Sequence, residues 1–298
     1  MKTKANAIVD EPYSLFALQY ARLTTTRGHT FLSGDQRDGP LEMAYYVWVA
    51  CNSSRAVLID TGFNAHVAQR RGRDRFRCPV DALGDIGLHA NDIQDVILTH
   101  LHYDHAGNLD KFPNARLHLQ EREMRFATSK YMCIKHISLG GIFEADDVAQ
   151  VVRSNFAGRV SWIDGDSSIA PGIDVLLTGG HTPGMQMVRV LTQRGYVVLM
   201  SDAAHLYENI ELQKPFHIAH SVGDMVVGWR TAVTAADSTA HLIPGHDPLV
   251  MSQYPKAEGA NSVYTVALHK QPTSCVLSSK SSLLKELPTV ASTLLTVT

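Results

Sequence analysis

The 298-residue chain carries 27 Lys and Arg against 29 Asp and Glu, a formal net charge of −2, with 45% hydrophobic residues. So small a net charge creates no long-range field for a polyanion, which argues against nucleic acid as a partner. The apolar content supports a sizeable core, and the length suits a single large α/β domain without an internal linker.

Residues 1–10 hold no apolar run of signal-peptide length, and no segment approaches the roughly 20 apolar residues that a membrane-spanning helix needs. Cys51, Cys78, Cys133 and Cys275 are scattered without a Cys-x-x-Cys pair, as in reduced cytosolic proteins. The expectation is a soluble cytoplasmic protein without membrane contact.

In chain order, residues 45–50 and 56–59 are β-prone runs joined by the turn-like Asn52-Ser53-Ser54, which predicts a hairpin. Asp60 follows at the strand end, either as a plain turn carboxylate or placed to accept from the outer nitrogen of a metal-ligating histidine. Residues 70–77 contain five arginines and read as a solvated loop, although the run could anchor a carboxylate or a partner. The apolar run 96–98 leads into His100-Leu101-His102-Tyr103-Asp104-His105, three imidazoles and a carboxylate within six residues. A strand end turning into a helix start can aim such a set at one point.

Residues 120–127 predict a helix whose Met124 and Phe126 line core or pocket. The run 173–177 precedes Gly179-Gly180-His181-Thr182-Pro183-Gly184, the run 196–201 ends in Asp202, and Leu242-Ile243 precedes Pro244-Gly245-His246. Residues 222–236 predict another helix. Pocket walls are expected from the stretch before residue 40, from residues 132–143 and from residues 216–220, with His217 and His220 packed or exposed rather than catalytic. Beyond Tyr264 there is no aromatic residue. Residues 1–270 are therefore assigned to the domain, and 271–298 to a tail with at most one short helix, disordered or loosely packed towards its end.

Three histidines beside a capping Asp would be an ordinary surface feature if they stood alone. Here four short β-prone runs end in residues able to bind metal, and in α/β folds sites gather at the carboxyl ends of strands. Five histidines and two carboxylates, His100, His102, Asp104, His105, His181, Asp202 and His246, are too many for one tetrahedral zinc and suffice for two ions. A bridging Asp202 would leave a position for a shared water or hydroxide.

The ordered set His-x-His-x-Asp-His, Gly-His-Thr-Pro-Gly, Ser-Asp and Pro-Gly-His, with the earlier Asp60-Thr61-Gly62, resembles the metallo-β-lactamase superfamily from about residue 40 to 255. The resemblance implies an αββα sandwich, two mixed sheets with helices outside. It implies that His100, His102 and His181 hold one metal, that Asp104, His105 and His246 hold the other, and that Asp202 bridges them. Asp at position 104 matches the superfamily's hydrolases rather than its oxygen-reducing di-iron branch, which has Glu.

Residues 201–210, 214–216, 222–225 and 243–250 are similar to the N-acyl-homoserine lactonase, or quorum-quenching, group. Two positions depart from that group: His205 stands where its best-known members have a substrate-binding Tyr, and Met185 where they have a His. Tyr207, two residues further on, is the substitute phenol.

The implied reaction is opening of a lactone, N-acyl-homoserine lactone or another small lactone, by a metal-bridging hydroxide. The cofactors would be two divalent ions, zinc foremost. His205 or Tyr207 would hydrogen-bond the developing oxyanion, the other reading of His205 being that it only orients Asp202, and Asp104 would help to place the proton on the leaving oxygen. The alternatives are a thioester hydrolase of the glyoxalase II kind, a mononuclear-iron sulfur dioxygenase and a noncatalytic binding module. The sequence leaves room for a homodimer.

Overall fold

The computed structural model describes residues 11–137, 139–259 and 263–288. The expectations for residues 1–10 and for the end of the tail, 289–298, lie outside the described residues. No helix among those described is long and apolar enough to cross a membrane.

The chain enters through β1 (Ser14–Thr26), β2 (Pro40–Cys51), β3 (Ala56–Ile59), β4 (Asp74–Arg75), β5 (Asp95–Ile97), β6 (Arg116–Gln120) and β7 (Val160–Ile163). A second run comprises β8 (Ser167–Ala170), β9 (Ile173–Leu177), β10 (Gln186–Thr192), β11 (Gly195–Ser201) and β12 (Leu242–Pro244), after which β13 (Thr265–Ala267) returns to the first sheet. The first sheet has the order β13-β1-β2-β3-β5-β6-β7 with β4 on β1, and the second the order β12-β11-β10-β9-β8. Both are mixed: β3, β5, β6 and β7 run parallel beside antiparallel β1 and β2, and β12 runs parallel to β11 in an otherwise antiparallel sheet.

Strand β2 shows why these residues make a two-sided layer. Its side chains alternate, so Ala44, Tyr46, Trp48 and Ala50 join the core shared with the second sheet, while Met43, Tyr45, Val47 and Val49 join the core on the opposite face. A strand buried on both faces reads as one continuous apolar run. Helices Ala65–Arg71 and Ala145–Phe156 close the outer face through Val67, Ala68, Val148 and Val151. Helix Val222–Ala235 contributes Met225, Trp229, Ala232 and Val233 to the other core. The predicted hairpin is present in the register Trp48↔Ile59 to Cys51↔Ala56, and the Asn52 side chain accepts from the backbone N–H of Ser54 and Arg55 to close its turn. The predicted αββα arrangement is the one observed.

The C-terminal segment departs from expectation where it is described. Its one short helix, Lys280–Glu286, is present, but Leu277, Leu283 and Leu287 are buried in the core shared by the sheets, so residues 271–288 belong to the domain. Leucines at 283 and 287 fall on one face of a helix, and that spacing is enough to dock it without any aromatic residue.

Asp147 carries a cost of burial. It stands in the first turn of helix Ala145–Phe156, where the helix dipole favours an anion, yet its Oδ2 is buried without a partner. Burial first, then the neighbouring Glu144 and Asp146, push its carboxyl up to about 7. A raised carboxyl makes the folded state hold the extra proton, so this group's contribution to stability is full below about pH 4 and falls as pH rises towards 7. Asp147→Asn should remove that slope and stabilise the protein at pH 8 by roughly 2–4 kcal/mol, read from urea midpoints across the pH range.

Candidate metal centre

The strand ends singled out in the sequence converge on one edge of the sandwich. Asp60 follows β3, Thr99 and His100 follow β5, His181 follows β9, Asp202 follows β11 and His246 follows β12. Asp60 and Ser201 both take left-handed backbone angles, φ 59° and 46°, as the chain leaves the sheets. Non-glycine residues hold such angles only where surrounding contacts enforce them. Here the Thr99 N–H donates to Asp60 Oδ1 at 2.8 Å, and the Thr99 and Ser201 hydroxyls lie 2.9 Å apart.

The donors form two groups around one carboxylate. Asp202 Oδ2 lies 3.1 Å from His181 Nε2 and 3.8 Å from His100 Nε2, and His102 Nδ1 stands 2.8 Å from His181 Nε2 and 3.0 Å from His100 Nε2. Asp202 Oδ1 lies 2.9 Å from His246 Nε2 and 3.3 Å from His105 Nε2, with Asp104 Oδ2 3.6 to 3.7 Å from the same two nitrogens. All seven side chains are buried. His100, His102, His181 and Asp202 form one set able to hold a metal, and Asp104, His105 and His246 another.

The outward nitrogens reveal which way the lone pairs point. His105 Nδ1 donates to Asp60 Oδ2 at 2.7 Å, His181 Nδ1 to the Ile218 carbonyl at 2.9 Å and His246 Nδ1 to the Ala44 carbonyl at 2.8 Å. A neutral ring has one proton, so with its proton spent outward each Nε2 would turn a lone pair on its neighbours and on Asp202. Burial lowers the His105 and His246 imidazoles, but Asp202 and Asp104 outweigh it and raise both above their ordinary range, a demand for positive charge at the same place. His105 Nε2 is buried with no hydrogen-bond partner. Lone pairs facing lone pairs at these distances repel unless positive charge lies among them, and nitrogen and oxygen donors of this kind suit divalent ions of the zinc class. The donor set therefore fits two metals. Burial and the neighbouring rings hold the His100 and His102 imidazoles well below their ordinary range, which keeps them neutral and ready to coordinate.

Asp60 occupies the role expected of it. The centre also relies on Glu123, which the sequence reading had placed only within a helix. Glu123 is fully buried at the start of helix Glu121–Ala127, with Oε1 accepting from the Leu101 N–H and Oε2 from the Gly184 N–H, both at 3.0 Å. It ties the loop of His100 and His102 to the loop of His181. Gly184 is needed there, because a Cβ would overlap the Glu123 backbone. Its signal is a carboxylate on the inward face of a short helix directly after a strand.

His205 is present at the centre. Its Nε2 lies 3.0 Å from Asp202 Oδ2, its ring stacks on Phe216 at 3.5 Å, and its Nδ1 is buried without a partner. Burial pushes this imidazole down to about 3 against the opposing pull of Asp202. The neutral ring, with Nε2–H donated to Asp202, turns a lone pair rather than a donor from Nδ1. Tyr207 is not brought to the site. Its ring is packed in the core shared by the sheets, near Tyr254, Asp247 and Tyr46, because the chain after His205 turns into helix Tyr207–Glu211. Met185, likewise, is fully buried in that core.

A cavity of about 530 Å³ opens over the cluster. Its walls come from Leu23, Phe31 and Leu32, from Ile137 and Ile142, and from Phe216, His217 and Ile218, the three regions expected to supply them, and also from Met43, which lies outside those regions. His217 thus lines the cavity, whereas His220 is exposed beside Phe126. The arginine run behaves otherwise than as a solvated loop: Arg70 and Arg71 pair with Glu144, Arg77 pairs with Asp85, and Arg73 lines the cavity.

Comparison with known proteins agrees with this geometry. The family model described as the metallo-beta-lactamase superfamily matches residues 40–246. An N-acyl homoserine lactonase of Bacillus cereus is 30% identical over 138 residues, 46% of this chain and 49% of that protein. The N-acyl homoserine lactonase AttM of Azorhizobium caulinodans is 30% identical over 181 residues, 58% of this chain and 65% of that one. The first of these matches spans about half the length of the curated relative. Among solved structures, a quorum-quenching N-acyl homoserine lactone lactonase superposes with a TM-score of 0.67 at 21% identity, covering 81% of this chain and 95% of the other. AidC, a dizinc quorum-quenching lactonase with bound product, gives 0.63 at 18% identity, covering 81% and 90%. These structural likenesses establish the fold.

Glu123→Gln puts an amide nitrogen opposite one of the two backbone N–H groups. It should cost about 1–3 kcal/mol of stability and weaken metal binding about 10- to 100-fold. Melting of the metal-free protein and zinc titration with a competing chelator would measure the two losses separately.

Proposed function

This chain belongs to the metallo-beta-lactamase superfamily, and on that footing we propose that it is a dinuclear metal-dependent hydrolase that opens a lactone ring. An N-acyl-homoserine lactone or another small lactone is the substrate class. The observation that carries the reading is Asp202, which turns one carboxylate oxygen to each of two donor sets on the floor of an apolar-walled cavity.

His100, His102 and His181 would hold one ion, Asp104, His105 and His246 the other, with Asp202 shared and zinc the metal. When bound, two divalent ions supply Lewis acidity towards an ester carbonyl and a water acidified towards neutral pH. The remaining work belongs to the chain. Asp60 fixes the His105 ring, while the Ile218 and Ala44 carbonyls fix those of His181 and His246, so the donors are oriented before substrate arrives. Leu23, Phe31, Met43, Ile142 and Phe216 exclude water and accept an acyl chain by apolar contact. His205 Nε2 donates to Asp202 Oδ2 and, stacked on Phe216, holds that carboxylate in place. Asp104, whose Oδ2 is turned to His105 and His246 and would be spent on the second ion, also lines the cavity, where its other oxygen would take the proton freed from the acidified water and deliver it to the leaving alkoxide oxygen.

The curated relatives are named as N-acyl homoserine lactonases, which supports the substrate class. A thioester hydrolase would use the same donors, so substrate choice is part of the test. Purified protein should contain two equivalents of divalent metal and release one proton per lactone opened, across a panel of acyl chain lengths. Asp202→Ala or His102→Ala should lower activity by more than about 100-fold, beyond the range seen for residues that only orient ligands, together with metal content. Two equivalents of metal with turnover of thioesters alone would reassign the substrate, and full activity in metal-free protein would refute the centre.

A further inference from the structure

Two phenols stand on the cavity wall beside the donor cluster, and their protons do not balance. Arg73 Nε donates to Tyr103 Oη at 2.8 Å, and Tyr103 Oη lies 3.2 Å from Tyr45 Oη. A guanidinium only donates, whereas each phenol carries one proton and can accept as well. The two hydroxyls own two protons, and the bond between them uses one. The second proton has no acceptor among the described residues. Both hydroxyls belong to buried side chains, 3% and 4% exposed, that line the cavity. An O–H left without an acceptor in a buried wall is costly unless a ligand completes it.

The pair is also held firmly and set in a charged environment. The Arg73 Nη1 donates to the Arg71 carbonyl at 2.6 Å, the Arg71 guanidinium lies 4.2 Å from the Tyr103 ring centre, and Arg73 joins no ion pair among the described residues. A cation donating to Tyr103 draws electron density from its oxygen and strengthens the O–H that points onward. The Tyr45 ring stands edge-on to His246 at 5.1 Å, and Tyr45, Tyr103, Asp104 and His246 line the same cavity, which sets the phenol pair beside the donor cluster. His205, three residues after Asp202, turns a lone pair rather than a donor from Nδ1, so it leaves the task of meeting a carbonyl oxygen unfilled.

We propose that the Tyr45–Tyr103 pair, polarised by Arg73, donates its spare O–H to the ester carbonyl oxygen of the substrate. This rests on the lactone-opening reading above. As the carbonyl oxygen gains negative charge, the phenol bond to it strengthens, so the contribution appears in kcat more than in KM. Either hydroxyl can supply the proton when the other is absent. Single removals are therefore partly masked and the double removal is decisive.

Tyr45→Phe, Tyr103→Phe, the double variant and Arg73→Met would be assayed on one lactone, with metal content and melting measured for each. Tyr45→Phe should lose least, since Arg73 still polarises the remaining Tyr103; Tyr103→Phe and Arg73→Met should lose more. The double variant should lose roughly 100-fold in kcat, the scale for removing one oxyanion donor, with KM changed less than kcat and with metal content and melting retained. A wild-type protein that opens no lactone overturns the hydrolase reading and this assignment with it. A wild-type protein that opens lactones, beside a double variant whose kcat falls by less than about threefold, overturns this assignment alone, as does a double variant that loses its metal or its cooperative melt.

Discussion

Free electron pairs on buried nitrogens and oxygens cannot be crowded together in a dry space unless positive charge lies among them. His105, His181 and His246 have committed their protons outward, and their inner nitrogens face Asp202 and one another. This electrostatic demand is the constraint to which the surrounding structure answers. Two sheets bring five strand ends to one edge, and each delivers a donor or the carboxylate that steadies one. Parallel pairing of β3, β5 and β6 in one sheet and of β11 with β12 in the other places successive carboxyl ends side by side, which antiparallel hairpins alone would not do.

The supports are themselves costly and therefore informative. Asp60 and Glu123 are carboxylates with no exposure, and burial pushes both up from their usual range despite the hydrogen bonds they accept. Asp60 and Ser201 take left-handed backbone angles next to the site. Features of this kind persist where a functional geometry requires them, and their free-energy cost is offset by the two large apolar cores on either side of the first sheet.

The donors were legible because metal chemistry permits few residue types and because each follows a recognisable β-prone run. The strand β2 was legible in part: its continuous apolar run announced burial, while the alternation between two cores needed the sheets to be seen. Asp60 could be assigned from its place after β3, but Glu123 could not, since its inward direction depends on how the helix Glu121–Ala127 meets the Gly184 turn. Tyr207 shows the opposite failure. Two residues from His205 in sequence, it is carried into the core by the helix that begins there. The arginine run misled because charge in a sequence looks solvated, whereas Glu144 and Tyr103 reach these side chains from distant positions and Asp85 from the next short helix. The C-terminal segment looked weak for want of aromatic residues, and its leucines proved sufficient to dock it.

Chemistry and shape then divide the labour. The polar floor orients donors, the aliphatic and aromatic walls exclude water, and the phenols and guanidinium at Tyr45, Tyr103 and Arg73 give one wall a directional donor. All of this presumes that cations occupy the space between the rings. Anomalous diffraction at the zinc edge from crystals grown with zinc tests that most directly. Two peaks are expected, one among His100, His102, His181 and Asp202 Oδ2, the other among Asp104, His105, His246 and Asp202 Oδ1. A map with no peak there, in which the inward nitrogens are protonated and bonded to Asp202 and Asp104 instead, would contradict the account.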